Sequence, residues 1–283
     1  MKSKNGKYFF ILFIIALGSI IAVWQLRSEN ITMTEGSLAV HFIDVGQGDA
    51  TLIQNNEGNV LIDGGDRRTA DSLVRYLKDN GVGKISYVIA THPHADHIAG
   101  LVNVLNTFEV DTIIMPRVAH TTVTFERLLD AIENNDVKVQ EPVAGASFTL
   151  GETVFTIAAP NSSSYRNMNN YSVSVRVSHG STSFMFTGDA ETESENEMLA
   201  RNRSLSAKIL HVGHHGSRTS TSQAFLDAVL PEIAVISCGK GNSFGHPHEE
   251  VLSRLEEARV TIYRTDLHGT IVISTDGASL TVH

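Results

Sequence analysis

Three kinds of apolar run follow one another along this chain. The first, Tyr8 to Leu26, is almost unbroken, with Lys2, Lys4 and Lys7 before it and Arg27 after it. At about 1.5 Å per residue such a run approaches the roughly 30 Å hydrocarbon core of a bilayer. Between Phe9 and Val23 no polar face appears, which argues against a helix packed in a soluble core. The lysines ahead of the run predict a cytoplasmic N-terminus and an extracytoplasmic remainder. A basic start and apolar middle also fit a cleaved signal peptide, but no small-x-small cleavage pattern follows, so an uncleaved anchor is the preferred expectation.

After a polar linker over residues 27–36, the pattern changes to short β-branched or alternating runs that predict strands. They cover residues 38–45, 50–54, 59–62, 87–90, 112–115, 153–158, 172–178, 183–187, 207–212, 234–237, 260–263, 270–274 and 279–282. His179-Gly180, between two of them, reads as a hairpin turn. The third kind, with 3.6-residue periodicity, predicts helices over residues 69–80, 96–106, 122–135, 191–201, 222–230 and 248–258. Hairpin and crossover connections together imply mixed sheets covered by helices, an α/β (α+β) architecture. With no Pro/Gly/Ser-rich boundary after residue 36, the expected organisation is an anchor or signal segment over 1–30 and one domain over 37–283.

Composition changes the picture in two places. The formal charge is −9, and the first 27 residues hold four basic side chains and no acid, so the remainder is more acidic still. That field is unfavourable for a nucleic acid partner unless a bound cation offsets it locally. The single cysteine, Cys238, excludes an intramolecular disulfide or a CxxC metal site, and its place in the apolar run Ile233 to Cys238 makes it a packed thiol.

The chemistry concentrates in Thr91-His92-Pro93-His94-Ala95-Asp96-His97, which follows an apolar strand and opens a helix. Imidazole and carboxylate at this density suit a divalent ion such as zinc, and one strand-to-helix loop can serve two adjacent ions. Asp96 as a simple helix cap is the bland alternative. Asp63 before Gly64-Gly65, Asp189 after the strand ending at Thr187, and His214-His215 after the strand ending at Val212 each place a donor at a strand end. Taken singly, these are a turn, a cap and a pair of loop histidines. Gly46-Gln47-Gly48 lacks the pattern of a phosphate-binding P-loop and reads as a tight turn, with Asp49 holding loop backbone.

Taken in order, Asp63, His92-x-His94-x-Asp96-His97, Asp189 and His214 resemble the metallo-β-lactamase-fold hydrolases over roughly residues 37–283. Asp44-Val45-Gly46-Gln47-Gly48-Asp49-Ala50, His214-His215-Gly216-Ser217, Gly245-His246-Pro247 and Tyr263-Arg264-Thr265-Asp266 resemble the hydrolase domain of competence DNA-uptake proteins of the ComEC type and their free-standing relatives. The resemblance implies a four-layer αββα sandwich with one or two divalent ions, Zn or Mn, at one edge. It makes His92 and His94 ligands of a first ion, Asp96, His97 and His214 ligands of a second, Asp189 the bridge, and Asp63 the group that orients a ligand histidine or the bound water. His214 is preferred to His215 because it lies closer to the strand end. The histidine usual before the bridging aspartate is missing: the segment reads Asn167-Met168-Asn169-Asn170-Tyr171-Ser172, as in the ComEC-like relatives, and leaves the first ion short of a ligand. His120 lies too early to replace it, and His179 lies in the hairpin on the far side. His246 is a candidate to contact substrate or protonate a leaving group, while His41, His268 and His283 read as packing or surface residues.

Hydrolysis by metal-activated water follows, and it requires no side-chain nucleophile. The resemblance points to a phosphodiesterase or nuclease acting on DNA outside the membrane, with a separate DNA-uptake channel protein as partner, since one apolar segment cannot form a pore. Hydrolysis of another ester, thioester or lactam is the enzymatic alternative. A non-catalytic, membrane-anchored metal-binding module is the other class, and the presence of Asp63 and Asp189 speaks against it.

Overall fold

Strand alternation builds the domain in layers. In the computed structural model, which describes residues 36–201 and 204–283, the strands are β1 (Leu38–Phe42), β2 (Thr51–Asn55), β3 (Gly58–Ile62), β4 (Lys84–Ile89), β5 (Glu109–Ile114), β6 (Lys138–Gln140), β7 (Ser147–Leu150), β8 (Thr153–Ala159), β9 (Ser174–His179), β10 (Thr182–Phe186), β11 (Ile209–His211), β12 (Ile233–Ile236), β13 (Thr261–Arg264), β14 (Ile271–Thr275) and β15 (Leu280–Val282). They form an eight-stranded sheet, ordered β15-β14-β1-β2-β3-β4-β5-β6, and a seven-stranded sheet, ordered β13-β12-β11-β10-β9-β8-β7.

Because neighbouring side chains on a strand point to opposite faces, each sheet packs on both sides. Phe42, Ile53, Val60, Phe184 and Phe186 fill the layer between the sheets. Leu52 and Leu61 turn outward onto Leu73, Leu101 and Leu128 of helices Ala70–Asp79, Leu101–Leu105 and Val123–Asn134. On the second sheet Met185 and Leu210 turn outward onto Met198, Phe225 and Val251 of helices Thr192–Ala200, Gln223–Val229 and Glu249–Glu257. The result is the αββα sandwich expected from sequence. Each fully buried phenylalanine of the middle layer contributes about 1.5–3 kcal/mol of apolar burial.

Four local features differ from expectation. Strands β6 and β7 escape a periodicity reading because they are short, and Lys138 and Val139 are exposed. The helix Thr265–His268 is likewise only one turn. The helix expected over residues 96–106 is two, Ala95–Ile98 and Leu101–Leu105. The His97 carbonyl accepts from Gly64 N (2.7 Å) and Gly100 N donates to Gly65 O (3.0 Å), so the turn after Asp63 takes the bonds that would continue the helix. The hairpin turn is Gly180-Ser181, with His179 paired to Thr182 as the last residue of β9.

The expected anchor, Tyr8 to Leu26, lies outside the described residues. Among those residues no helix is long and apolar enough to cross a membrane. The topology sets where chemistry can occur: β3 and β4 run parallel in one sheet, β10, β11 and β12 in the other. Their C-terminal ends deliver the loops that carry Asp63, His92 to His97, Asp189 and His214-His215.

Candidate metal centre

Backbone hydrogen bonds lace these loops together. Val173 N donates to Thr91 O (2.9 Å), Asp63 N to Ile89 O (2.9 Å) and His214 N to Gly188 O (3.0 Å). The loop before β2 leans on the same place: Asp49 N donates to Asp96 O (3.2 Å), and a Cβ at Gly48, whose φ is +137°, would stand 2.3 Å from that oxygen. Only glycine fits there.

Within this frame, single ligand atoms of His92, His94 and Asp189 lie within 4.8 Å of one another, as do those of Asp96, His97 and His215, and those of Asp49, Asp189 and His215. Asp189 joins the groups. Its Oδ1 is 3.3 Å from His97 Nε2 and its Oδ2 is 3.6 Å from His92 Nε2. His92, His97, Asp189 and His215 are buried; His94 and Asp96 are partly exposed and form the opening.

The expected His214 is not in the second group; His215 is. His215 Nε2 lies 3.4 Å from Asp96 Oδ2, whereas His214 turns to Glu191 (3.4 Å) and the far oxygen of Asp189 (3.6 Å). Both residues have left-handed backbone, φ 51° and 55°, and this tight reversal drives consecutive rings apart, with centroids separated by 6.1 Å. Distance from the strand end therefore misleads: the second residue of the reversal points inward.

Asp63, fully buried, accepts from Thr91 N (2.8 Å), Thr91 Oγ1 (2.7 Å) and His97 Nδ1 (2.8 Å). This presents His97 Nε2 to the cluster, the orienting arrangement expected of it. His215 Nδ1 donates to the Ser237 carbonyl (3.0 Å), presenting its Nε2 in the same way. Asp49 departs from its expected part. Asp44, not Asp49, caps the loop by accepting from Gly46 N (3.0 Å). The Asp49 carboxylate is buried 3.3 Å from His215 Nδ1, 3.6 Å from His211 Nε2 and 4.0 Å from His97 Nδ1. Neither Asp49 nor His211 could be placed by spacing, since the fold alone brings them under the site. Its one sequence signal was a carboxylate after two glycines.

In the segment without the usual histidine, Asn170 Oδ1 accepts from Glu191 N (3.0 Å) at the start of the helix Thr192–Ala200, while Asn169 donates to Glu191 (3.1 Å) and sits 3.4 Å from His214 Nδ1. His179 bonds Thr153 and Gly36, away from the cluster. His120 comes nearer than its position in sequence suggests, its ring centroid 6.2 Å from that of His94. His246 stands behind the second group, its centroid 6.1 Å from that of His215, and burial with the neighbouring His215 and His214 pushes it down to about 4. That shift favours the neutral ring. Cys238 is buried beside Asp266, and burial pushes its thiol up to about 12.

The donors fit a cation. Both oxygens of Asp49, Asp189 Oδ1, His97 Nε2 and His215 Nε2 are buried with no hydrogen-bond partner, a cost of about 1–3 kcal/mol for each such group unless something else is bound. Burial alone would raise Asp189, but His97, His215 and His92 hold it well below the usual carboxylate range. Burial lowers His92 far below the imidazole range, leaving a neutral nitrogen of the kind that binds metal.

Comparison with known proteins agrees with this geometry. The chain is 30% identical over 250 residues to ComE operon protein 3 of Bacillus subtilis, covering 82% of this chain and 32% of that protein. It is 30% identical over 240 residues to Recombination protein 2 of Haemophilus influenzae, covering 83% and 28%. It thus spans about a third of the length of the curated relatives it matches. Among solved structures, the metallo-beta-lactamase fold protein YhfI from Bacillus subtilis superposes with a TM-score of 0.57 at 14% identity, covering 84% of this chain and all of that one. CmlA, a diiron beta-hydroxylase from Streptomyces venezuelae, superposes with a TM-score of 0.56 at 13% identity, covering 85% and 54%. These two show the fold alone. The sequence pattern of the Metallo-beta-lactamase superfamily matches residues 43–240, and with the donor cluster at the strand ends it establishes that this chain belongs to that superfamily as a metal-dependent hydrolase.

Proposed function

We propose that the chain hydrolyses phosphodiester bonds of nucleic acid outside the membrane. The observation that supports it most is the cluster of buried, unpartnered donors at the sheet edge, in a chain similar to ComE operon protein 3 and to Competence protein ComA of Neisseria gonorrhoeae. His92, His94 and Asp189 would hold one divalent ion, Zn or Mn, and Asp96, His97, His215 and Asp189 a second. When bound, such ions supply a Lewis acid and a water acidified toward about pH 7.

The chain's own residues do the positioning. Asp63 fixes the His97 ring and the Ser237 carbonyl fixes that of His215, so neither imidazole spends entropy on finding its orientation. His246, neutral, is placed to bond a substrate or product oxygen. Beside Asp96 opens a cleft of about 930 Å³, also lined by Gln47, Lys240 and Phe244, with room for a polymer.

A metal-replete panel of single-stranded DNA, double-stranded DNA, RNA, simple phosphodiesters and nitrocefin tests the substrate class, and turnover of nitrocefin alone would move the reading to lactams. Asp189→Ala is expected to abolish hydrolysis and reduce bound metal while the domain stays folded; a fully active variant would refute the bridge. With the lysines inside, protease added to intact protoplasts is expected to remove the domain, and protection would reverse the orientation. A separate channel protein then carries any DNA across the membrane.

A further inference from the structure

The cleft beside Asp96 contains a large aromatic side chain turned to solvent. Phe244 is 62% exposed, an unusual place for a phenylalanine that packing does not require. It is nevertheless held. Phe244 N and His246 N both donate to Asn242 Oδ1, at 3.1 and 3.0 Å, and Asn242 Nδ2 donates to the carbonyls of Gly239 (2.9 Å) and His246 (2.6 Å). Gln47 Oε1 accepts from Gly239 N (3.1 Å), tying this loop to the one before β2. The Phe244 ring lies nearly parallel to that of His246, 5.6 Å between centroids at 21°, and the His246 ring is 6.1 Å from that of His215 at 32°. A run of flat faces thus leads from the buried donors to solvent.

The charges of the cleft are mostly spent. Arg68 pairs with Asp66 (2.9 Å), and Asp266 pairs with Arg264 (2.7 Å). Lys240 has no ion-pair or hydrogen-bond partner among the described residues, and Asp44 and Asp96 also line the wall. A ligand here meets one free cation and a rigid aromatic face, so an anionic polymer cannot be held by charge alone.

The geometry points to a nucleobase-stacking subsite: Phe244, backed by His246, takes an unpaired base of a single strand while Lys240 meets the neighbouring phosphate. This rests on the phosphodiesterase reading and narrows it to single-stranded nucleic acid, because a base inside a duplex already has both faces covered. Stacking is sequence-tolerant, since every base has a π-face, and a platform whose backbone is already held by Asn242 loses less entropy on binding.

The test uses the full chain with a fluorescent single-stranded oligothymidylate and an abasic strand of equal length. Binding is read by anisotropy with metal chelated, and cleavage after Mn²⁺ is restored. Wild type is expected to prefer the base-bearing strand about tenfold, the size of one aromatic–base stack. Phe244→Ala should collapse that preference toward one, and Phe244→Trp should keep it. With only Lys240 engaged, affinity should fall only about threefold between 50 and 200 mM salt. An undiminished preference in Phe244→Ala, tighter binding of duplex, or a salt dependence of several phosphates would overturn the subsite. Base-dependent binding by wild type with neither strand cleaved would support the subsite and defeat the phosphodiesterase reading instead.

Discussion

The two halves of the metal centre are built to different standards. Behind the second group every ring is braced: His97 Nδ1 by Asp63, His215 Nδ1 by the Ser237 carbonyl, and Asp49 lies beneath both. The first group has His94 at the opening, His92 Nδ1 facing only the hydroxyls of Thr91 (3.1 Å) and Ser172 (3.3 Å), and asparagines where a third imidazole would stand. Bracing fixes ligand geometry before the ion arrives, whereas an open ligand position leaves room for substrate. One half is therefore expected to retain an ion and the other to exchange it.

The largest effect should come from separating the histidine doublet. His215→Ala is expected to reduce metal affinity and activity by more than the roughly 100-fold typical of outer-shell changes, and His214→Ala by about tenfold or less. Plasma emission analysis of retained metal, alongside turnover, reads both; equal losses would erase the distinction between the inward and outward rings.

An internal control lies in β1. His41 is buried like His97, but its Nδ1 bonds only the Tyr76 hydroxyl (2.8 Å), its Nε2 has no partner, and burial with nearby His283 pushes it down to about 4. The unfolded chain, with an ordinary imidazole near 6.5, binds this proton more readily. Stability is then full above about pH 6.5 and falls as pH drops toward 4, by about 3 kcal/mol at most. Urea denaturation across that range should show a flatter acid limb in His41→Gln than in wild type, and identical limbs would remove His41 as the cause.

Asp63→Asn should weaken the braced ion by about 10- to 100-fold, with little effect on the looser one. Calorimetric titration of metal-stripped protein is expected to show two unequal sites in wild type and to bring them together in the variant. Two equal, tight sites in wild type would end the comparison. The smallest change is Asn169→His, expected to tighten the looser site a few-fold; Asn169 already lies 3.1 Å from Glu191, so the new ring must compete for space there.

What the sequence disclosed follows the same division. The run His92 to His97 was legible because one loop carries four donors, and the layers were legible because period-2 and period-3.6 patterns are local. The choice of His215 was not, since it turns on the handedness of two consecutive backbone positions. Asp49 and His211 were hidden for another reason: their meaning comes from the fold laying the loop before β2 and the end of β11 beneath one ring. Lys138–Gln140 lacks the burial that writes a strand into its sequence.

The donors also divide by sheet. His92, His94, Asp96 and His97 hang from the end of β4, while Asp189 and His215 hang from the ends of β10 and β11 in the opposite sheet. An ion held by both sets is a rivet through the sandwich, in a chain whose lone cysteine rules out a covalent one. At a free-ion concentration 100 times its dissociation constant, such a rivet contributes about 2.7 kcal/mol to holding the layers shut. The edge that performs the chemistry is then also the fastener of the fold, and losing the ion would loosen the mechanical joint and the catalyst together.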